Sequence, residues 1–112
     1  MKIRLSELDK KTIVFEVEDD DAGPVVEAFK TRGHGYAIYG EAVDLPIIVI
    51  DTRILKEEWC TLDHLIAIEA HELGHILKNT DNEVIAEQEG IKMLQAAGHI
   101  SAANLLIERG IV

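Results

Sequence analysis

The chain has 112 residues, of which 47% are hydrophobic, and its formal net charge at pH 7 is −10. A chain of this length and composition buries enough surface for one hydrophobic core, so we expect a single domain spanning residues 1–112. The negative charge argues against binding to nucleic acid, because contacts between basic side chains and phosphates supply most of that affinity.

The sequence gives no sign of membrane insertion or export. No apolar run approaches the roughly 20 residues that cross a bilayer, and the N-terminal residues lack the apolar stretch of a signal peptide. Cys60 is the only cysteine and cannot form an intrachain disulfide, which favours a reducing compartment; we expect it to be a small buried hydrophobic residue. We therefore predict a cytoplasmic protein without membrane contact, and the oligomeric state stays open.

The first half of the chain carries a strand pattern with one short helix. Alternating or continuous apolar residues predict strands at Lys2–Leu5, Thr12–Val17, Tyr36–Tyr39 and Pro46–Ile50. The last of these segments is apolar enough to be buried on both faces of a sheet. Pro24 suits the first turn of a helix, and the apolar residues after it predict a short amphipathic helix ending before Gly33.

From Thr61 onwards the apolar period changes from two to 3.6, which predicts helices. Thr61 is placed to cap a helix running from Leu62 to about Lys78. The segment Thr80–Glu83 has the form of a capping box that opens a second helix, and Gly98 closes that helix.

Ser101 is placed to cap a short last helix, with Gly110 beyond its end. Strands followed by helices indicate an α+β protein. We expect a small mixed or antiparallel sheet packed on a long helix, followed by an antiparallel helical hairpin and the short C-terminal helix.

The first long helix contains the motif His71-Glu72-Leu73-Gly74-His75. Two imidazoles four residues apart lie on one face of a helix, close enough to bind one metal ion, with the glutamate beside them. The helical period places His64, His71 and His75 opposite an apolar side formed by Leu62, Leu65, Ile66, Leu73, Ile76 and Leu77. Small residues on one flank, Ala67, Ala70 and Gly74, allow another backbone to approach, whereas Glu69 falls inside the apolar side without an evident partner.

The second helix supplies carboxylates to the same region. Its predicted inward face consists of Val84, Ala86, Gly90, Ile91, Leu94 and Ala97, with Glu83 and Glu87 in the middle. Buried carboxylates need compensation by a cation or a hydrogen-bonding partner. In an antiparallel hairpin Glu83 faces His75 and Glu87 faces His71, which predicts Glu83 as third ligand and Glu87 as the acceptor that fixes the His71 tautomer. Glu87 and Asp81 are the alternative ligands.

Three protein ligands with one open position are typical of a catalytic zinc site, whereas a structural site has four ligands and usually includes cysteine. We therefore predict Zn²⁺ bound by His71, His75 and Glu83. Such an ion lowers the pKa of its bound water, and Glu72 would accept the proton as general base and pass it to a leaving amine.

The motif HELGH followed by Glu83-Val84-Ile85-Ala86-Glu87 resembles the gluzincin metallopeptidases, whose second helix carries ExxxD or ExxAD, with glutamate here in the last position. The segments PIIVIDTRIL and AHELGHIL look most like the ImmA/IrrE-like branch and minimal, including phage-encoded, peptidases; the resemblance covers roughly residues 46–94. It implies a zincin-like fold, the ligands and base named above, and a location in the host cytoplasm if the source is viral. It also implies a peptide or protein substrate lying extended along a strand edge, Tyr36–Tyr39 or Pro46–Ile50. The metzincin pattern does not fit, since Lys78 and Asp81 occupy its glycine and histidine positions.

Several interpretations remain open at this point. A second electrophile would come from His34, Tyr36, Tyr39, His64 or His99. Nine acidic residues and one lysine lie between Glu57 and Glu89, which favours a divalent metal and a cationic peptide, or simply a soluble helix surface. The alternatives to a peptidase are a non-hydrolytic, zinc-containing binding or regulatory protein of the same fold and an acidic protein that mimics nucleic acid.

Overall fold

The computed structural model describes residues 1–109, in which a four-stranded mixed sheet is combined with helices. The elements in chain order are β1 (Lys2–Leu5), β2 (Ile13–Val17), α1 (Pro24–Glu27), α2 (Phe29–Arg32), β3 (Gly35–Ile38), β4 (Ile47–Asp51), a 3₁₀ helix (Thr52–Lys56), α3 (Leu62–Lys78), α4 (Glu83–Ala96) and α5 (Ile100–Glu108). The predicted α+β class, with a helical hairpin and a short C-terminal helix, is confirmed. No helix within residues 1–109 combines the length and the apolar character that crossing a bilayer requires.

The sheet has the strand order β1-β2-β4-β3, in which β2 and β4 are parallel and the other two pairs are antiparallel. The central strand β4 is buried on both faces, as its continuous apolar run predicts: Ile48, Val49 and Ile50 are almost completely inaccessible. Strand β3 lies at an edge and contacts α3. The fold therefore places an edge strand beside the helix that carries the histidine motif.

Helices cover both faces of the sheet. Leu73 of α3 packs against Val14, Ile48 and Ile50 on one face. On the other face, Val25 and Val26 of α1 and Phe29 of α2 pack against β2, β3 and β4. The single short helix predicted after Pro24 is therefore two successive helical turns, interrupted at Ala28.

Helices α3 and α4 approach each other through their backbones. A Cβ atom at Gly74 would overlap the carbonyl group of Ala86, and one at Gly90 would lie 2.9 Å from the carbonyl oxygen of Ala70. The predicted flank of small residues on α3 thus does receive another backbone. This close approach brings the side chains of the two helices within reach of one another at the end where the histidines lie.

The predicted apolar faces of α3 and α4 are wrong at their ends. Leu62 is 74% exposed, Leu77 is also exposed, and so are Val84 and Ala97. The 17 residues of α3 span about 25 Å, whereas a five-residue strand such as β4 spans about 17 Å. The sheet is therefore too short to cover the terminal turns of α3, whereas Val84 and Ala97 lie at the ends of α4, which packs mainly on α3 and α5.

The structure confirms Thr61 as the N-cap of α3, where its backbone N–H donates to Nδ1 of His64 at 3.1 Å. The capping box predicted at Thr80 is wrong: Asn82 caps α4, its side-chain oxygen accepting the N–H of Ile85 at 3.0 Å. The hydroxyl of Thr80 instead accepts the N–H of Asn82 at 3.1 Å. Thr80 therefore organises the turn before the helix.

The start of α5 also differs from the prediction. Gly98 turns the chain after α4 with a φ of 84°, as predicted for a closing glycine. The helix then begins at Ile100 with His99 as N-cap, so the assignment of the cap to Ser101 is wrong. The reason is that the carbonyl of His99 already accepts the N–H of Ala103 at 3.0 Å. Gly110 lies outside the described residues.

Glu69, which had no evident partner in the sequence, is fully buried and satisfied by the first strand and the turn after it. Its carboxylate accepts hydrogen bonds from the guanidinium of Arg4 at 2.6 Å, the hydroxyl of Ser6 at 2.7 Å and the backbone N–H of Glu7 at 3.0 Å. These contacts tie β1 to the middle of α3. Cys60 is buried, as expected.

Candidate metal centre

Three of the predicted site residues meet where α3 and α4 face each other. His71, His75 and Glu83 each offer one ligand atom, and these atoms lie within 4.8 Å of one another. Nε2 of His71 is 3.2 Å from Nε2 of His75, and Oε1 of Glu83 is 3.3 Å from Nε2 of His75. Neither Asp81 nor Glu87, the alternative ligands, belongs to this group within the described part of the chain.

The tautomer of His75 is set by the turn between the helices. Its Nδ1 lies 2.7 Å from the carbonyl oxygen of Thr80, which only accepts, so Nδ1 carries the proton and donates it. The lone pair of the ring is then on Nε2, the atom that faces His71 and Glu83. The hydroxyl of Tyr39 donates to the same carbonyl at 2.9 Å and also contacts the Asp81 carboxylate. This turn therefore orients the nitrogen that His75 offers as a candidate metal ligand.

His71 is held between two carboxylates. Its Nδ1 lies 2.7 Å from Oε1 of the fully buried Glu87, and its Nε2 lies 2.7 Å from Oε2 of Glu83. Burial of the ring opposes protonation, but the hydrogen bond to Glu87 and the charges of Glu72 and Glu87 outweigh it and raise the pKa of His71. In the metal-free protein, these carboxylates therefore favour the protonated form of His71.

The donor set and its spacing fit a zinc ion. Zinc bonds of about 2.0–2.1 Å in tetrahedral geometry separate neighbouring ligand atoms by about 3.4 Å. The distances of 3.2 and 3.3 Å from Nε2 of His75 to the two other candidate ligands are close to that value, whereas Nε2 of His71 and Oε2 of Glu83 are in direct contact at 2.7 Å. Two imidazoles and one carboxylate leave the fourth position free for water or substrate.

The two glutamates of α4 differ in environment, which corrects the prediction that both lie in the middle of a buried face. Glu87 is fully buried, whereas the Glu83 side chain is 64% exposed. Glu83 is the first residue of α4, so the helix contact that covers Glu87 does not extend over it. Its carboxylate therefore borders the open side of the centre.

Glu72 lies beside the three-ligand group on the wall of a cleft. Burial raises the pKa of its carboxyl to about 7, an effect that His71 and His75 oppose and Glu83 reinforces. Strand β3 packs over this part of α3, since a Cβ atom at Gly35 would lie 2.5 Å from Ile68 and 3.7 Å from Cγ of Glu72. The carboxyl group that the sequence assigns to proton transfer therefore titrates near neutrality under an edge strand.

The cleft has a volume of about 750 Å³ and contains the three ligands, Glu72 and residues of β3. Of the candidates for a second electrophile, His34, Tyr36, Tyr39 and His64 line it, whereas His99 is not among the lining residues. The hydroxyl of Tyr36 is directed away, donating to the Val25 carbonyl at 2.7 Å. Tyr39 is the candidate beside the ligands, with its ring centroid 6.3 Å from that of His75.

Trp59 and Arg32 also line the cleft, and sequence reasoning missed both. Neither belongs to an apolar period or to the histidine motif. The available signal was compositional: Trp59 is the only tryptophan, and it follows two glutamates instead of standing in an apolar run.

No protein-family model, no curated protein and no solved structure matches this chain. The centre itself defines a class of site: two imidazoles from one helix and a carboxylate from the next, with an ionisable carboxyl beside them in a cleft. Such a combination is typical of zinc sites that activate water.

Proposed function

We propose that the chain is a zinc-dependent metallopeptidase, in which His71, His75 and Glu83 hold the ion and Glu72 is the general base. The observation that carries this proposal is the convergence of three ligand atoms within 4.8 Å at a cleft lined by Glu72. The resemblance of the HELGH motif and the glutamate helix to the gluzincin metallopeptidases agrees with it.

In the proposed reaction, the metal centre and Glu72 have different roles. A bound zinc ion supplies a Lewis acid that lowers the pKa of water and stabilises negative charge on a carbonyl oxygen. Glu72 lies beside the candidate ligands and would accept a proton from the attacking water and release it again; its pKa of about 7 is that of the metal-free protein, and a bound cation would lower it. As the water oxygen bonds to the peptide carbonyl carbon and the carbon–nitrogen bond breaks, Glu72 delivers that proton to the departing amine.

Glu87 is a positioning residue in this scheme, because it contacts His71 and not the reacting atoms. By accepting the Nδ1 proton of His71 at 2.7 Å, it directs Nε2 towards the ion. The carbonyl of Thr80 has the same effect on His75. Both contacts are made by fully or partly buried groups, so the ligands are oriented before the ion binds.

Strand β3 supports a peptide as the substrate. It is the last strand of the sheet order, and it packs over α3 next to Glu72. An extended peptide can add to such an edge through backbone hydrogen bonds, which bring its carbonyl groups past the metal ligands. Of the two strands named in the sequence analysis, only β3 has a free edge, since β4 is central.

The proposal is tested with purified protein loaded with zinc and then dialysed. We expect close to one zinc ion per chain by elemental analysis and cleavage of members of a mixed peptide library. Glu72→Gln should retain the zinc and lose cleavage, because the amide cannot accept the proton. Glu89→Gln, a carboxylate of α4 that binds Lys78 and Lys92 outside the centre, is the matched control and should cleave normally.

Two results would count against the proposal in different ways. Absence of zinc after loading would refute the proposed metal centre and, with it, the proposed peptidase activity. Full zinc occupancy without cleavage by the wild type would favour the alternative, a zinc-containing binding protein of the same fold, and Glu72→Gln would then be indistinguishable from the wild type.

A further inference from the structure

Three aromatic rings form a cluster within the cleft, apart from the metal ligands. The ring centroid of Trp59 is 5.6 Å from that of His34 and 5.6 Å from that of His64. These separations are within the range at which aromatic rings attract one another. Trp59 is nevertheless 49% exposed, so a large part of its ring is available to a ligand.

The cluster is held by the backbone on both sides. Nδ1 of His64 accepts the N–H of Thr61 at 3.1 Å, which fixes that ring at the start of α3. The carbonyl of His34 accepts the N–H of Asp51 at 3.0 Å, which joins the residue to the end of β4. Trp59 lies between these anchors and precedes the buried Cys60. The ring of His64 and the backbone of His34 are therefore in place before a ligand arrives, which reduces the entropy cost of binding.

The cluster and the metal centre lie in the same cleft at a defined separation. His64 and His71 are seven residues apart on α3, which corresponds to about 10 Å along the helix axis. An extended peptide advances about 3.3 Å per residue, so a chain bound along β3 would cover this distance with about three residues.

The aromatic composition of the cluster favours an aromatic side chain as its occupant, and lysine, which the neighbouring Glu57, Glu58 and Asp63 would attract, is the competing one. The acidic residues that line the cleft, Glu72, Asp81 and Glu83, are at the metal end, where Glu83 contacts His71 and His75, and Asp81 contacts Tyr39. Arg32 also lines the cleft, but its guanidinium lies over the ring of Tyr36, 5.1 Å from the centroid, and Arg32 also borders a surface shared with Tyr39 and Asp81. An aromatic ring of the substrate can stack on the exposed part of Trp59 at the centroid distances that the cluster itself shows.

We propose that Trp59, with His34 and His64, forms a specificity subsite for an aromatic side chain of the substrate, about three residues from the cleaved bond. The proposal rests on the proposed peptidase function, since it places the subsite along a peptide bound at β3. It specifies the substrate class as peptides with phenylalanine or tyrosine at that position.

Trp59 provides its own reporter, because it is the only tryptophan in the chain and its fluorescence changes when the ring loses contact with water. The probes are acetylated and amidated octapeptides of alanine and serine, with one phenylalanine moved through all positions. Matched peptides carry leucine, lysine or alanine instead. Titration into zinc-loaded Glu72→Gln protein measures binding without cleavage.

We expect phenylalanine at one position to bind about tenfold more tightly than alanine there, which corresponds to about 1.4 kcal/mol. Binding should also shift the Trp59 emission to shorter wavelength. In calorimetric titrations Trp59→Ala should lose most of this preference. Leu55→Ala, which truncates an exposed apolar residue outside the cleft, should keep it. His34→Ala is a second variant should Trp59→Ala fail to fold, and it should weaken the preference severalfold.

The possible outcomes distinguish failure of the aromatic subsite from failure of the proposed peptidase activity. A preference for lysine, or binding that is the same with phenylalanine and alanine at every position, would overturn the aromatic subsite. Cleavage of library peptides by the wild type without an aromatic preference would also overturn it while leaving the peptidase intact. Phenylalanine-dependent binding that Trp59→Ala removes would support the subsite even if the wild type cleaves no peptide. In that case only the proposed peptidase activity would be refuted.

Discussion

The carboxyl group of Glu72 destabilises the metal-free protein when it ionises. A glutamate has an ordinary pKa of 4.5, whereas burial raises the pKa of Glu72 to about 7 in the folded protein. Between these pH values the folded state holds a proton that the unfolded state has released. The free energy of unfolding must therefore fall as the pH rises from about 4.5 to 7. Above about pH 7 the ionisation of Glu72 causes no further change.

The size of the effect follows from the two pKa values. The interval from 4.5 to about 7, at about 1.36 kcal/mol per pH unit, corresponds to about 3 kcal/mol of unfolding free energy. The pKa of His71 is raised as well, so its stabilising contribution is full below its ordinary value of 6.5 and is lost as the pH rises through its folded pKa. Both groups thus make the metal-free protein less stable at pH 8 than at pH 5.

The measurement is urea unfolding in the presence of a chelator at several pH values between 4.5 and 8. Glu72→Gln should have a shallower fall in stability than the wild type, and the two curves should separate by about 3 kcal/mol across this range. Glu41→Gln, which removes an exposed carboxylate outside the cleft, controls for the loss of one charge and should follow the wild type. Parallel curves for Glu72→Gln and the wild type would show that Glu72 does not titrate near neutrality.

Three further predictions concern the contacts around the centre. Glu87→Gln should weaken zinc binding about 10- to 100-fold in competition with a chelator, since it weakens the hydrogen bond that orients His71. Gly74→Ala should lower the free energy of unfolding by about 2 kcal/mol, because steric overlap with α4 exceeds the gain in helix propensity of about 1 kcal/mol. Glu69→Gln should cost about 2 kcal/mol, less than a fully buried ion pair, because the side chain of its partner Arg4 is 30% exposed.

Each of these predictions has a result that would contradict it. Unchanged zinc affinity in Glu87→Gln would mean that the buried carboxylate does not orient the ligand, and Glu89→Gln supplies the reference affinity. A Gly74→Ala protein as stable as the wild type would show that the helices can separate. For Glu69, a double-mutant cycle with Arg4→Met should give a coupling energy, and strict additivity would exclude a direct interaction.

The sequence predicts those parts of the fold that depend on local pattern. The bounds of α3, from Leu62 to Lys78, follow from an unbroken period of 3.6 and a capping residue, and burial of β4 follows from its continuous apolar run. The ends of helices were predicted less well. Exposure of Leu62 depends on how far the sheet extends beneath α3, which no local pattern contains.

Contacts between distant segments account for the other differences. Asn82 caps α4, whereas Thr80 belongs to the preceding turn, where its carbonyl accepts hydrogen bonds from His75 and from Tyr39, a residue 41 positions earlier. Glu69 has a partner only because β1 reaches the middle of α3. Antiparallel helix pairing did place Glu87 beside His71, since that argument needs only the length of the turn.

Because α3 and α4 contact each other through Gly74 and Gly90, the position of the candidate ligands and the selectivity of the cleft depend on different parts of the protein. The positions of the ligating atoms depend on main-chain packing between these helices, whereas the opposite wall of the cleft consists of β3 and the loops that flank it. In the proposed peptidase, side chains on that wall other than Tyr39, which contacts the Thr80 carbonyl, could therefore be exchanged to change selectivity without moving the candidate ligands. Such a division would make this small scaffold a practical starting point for directed evolution towards new peptide targets.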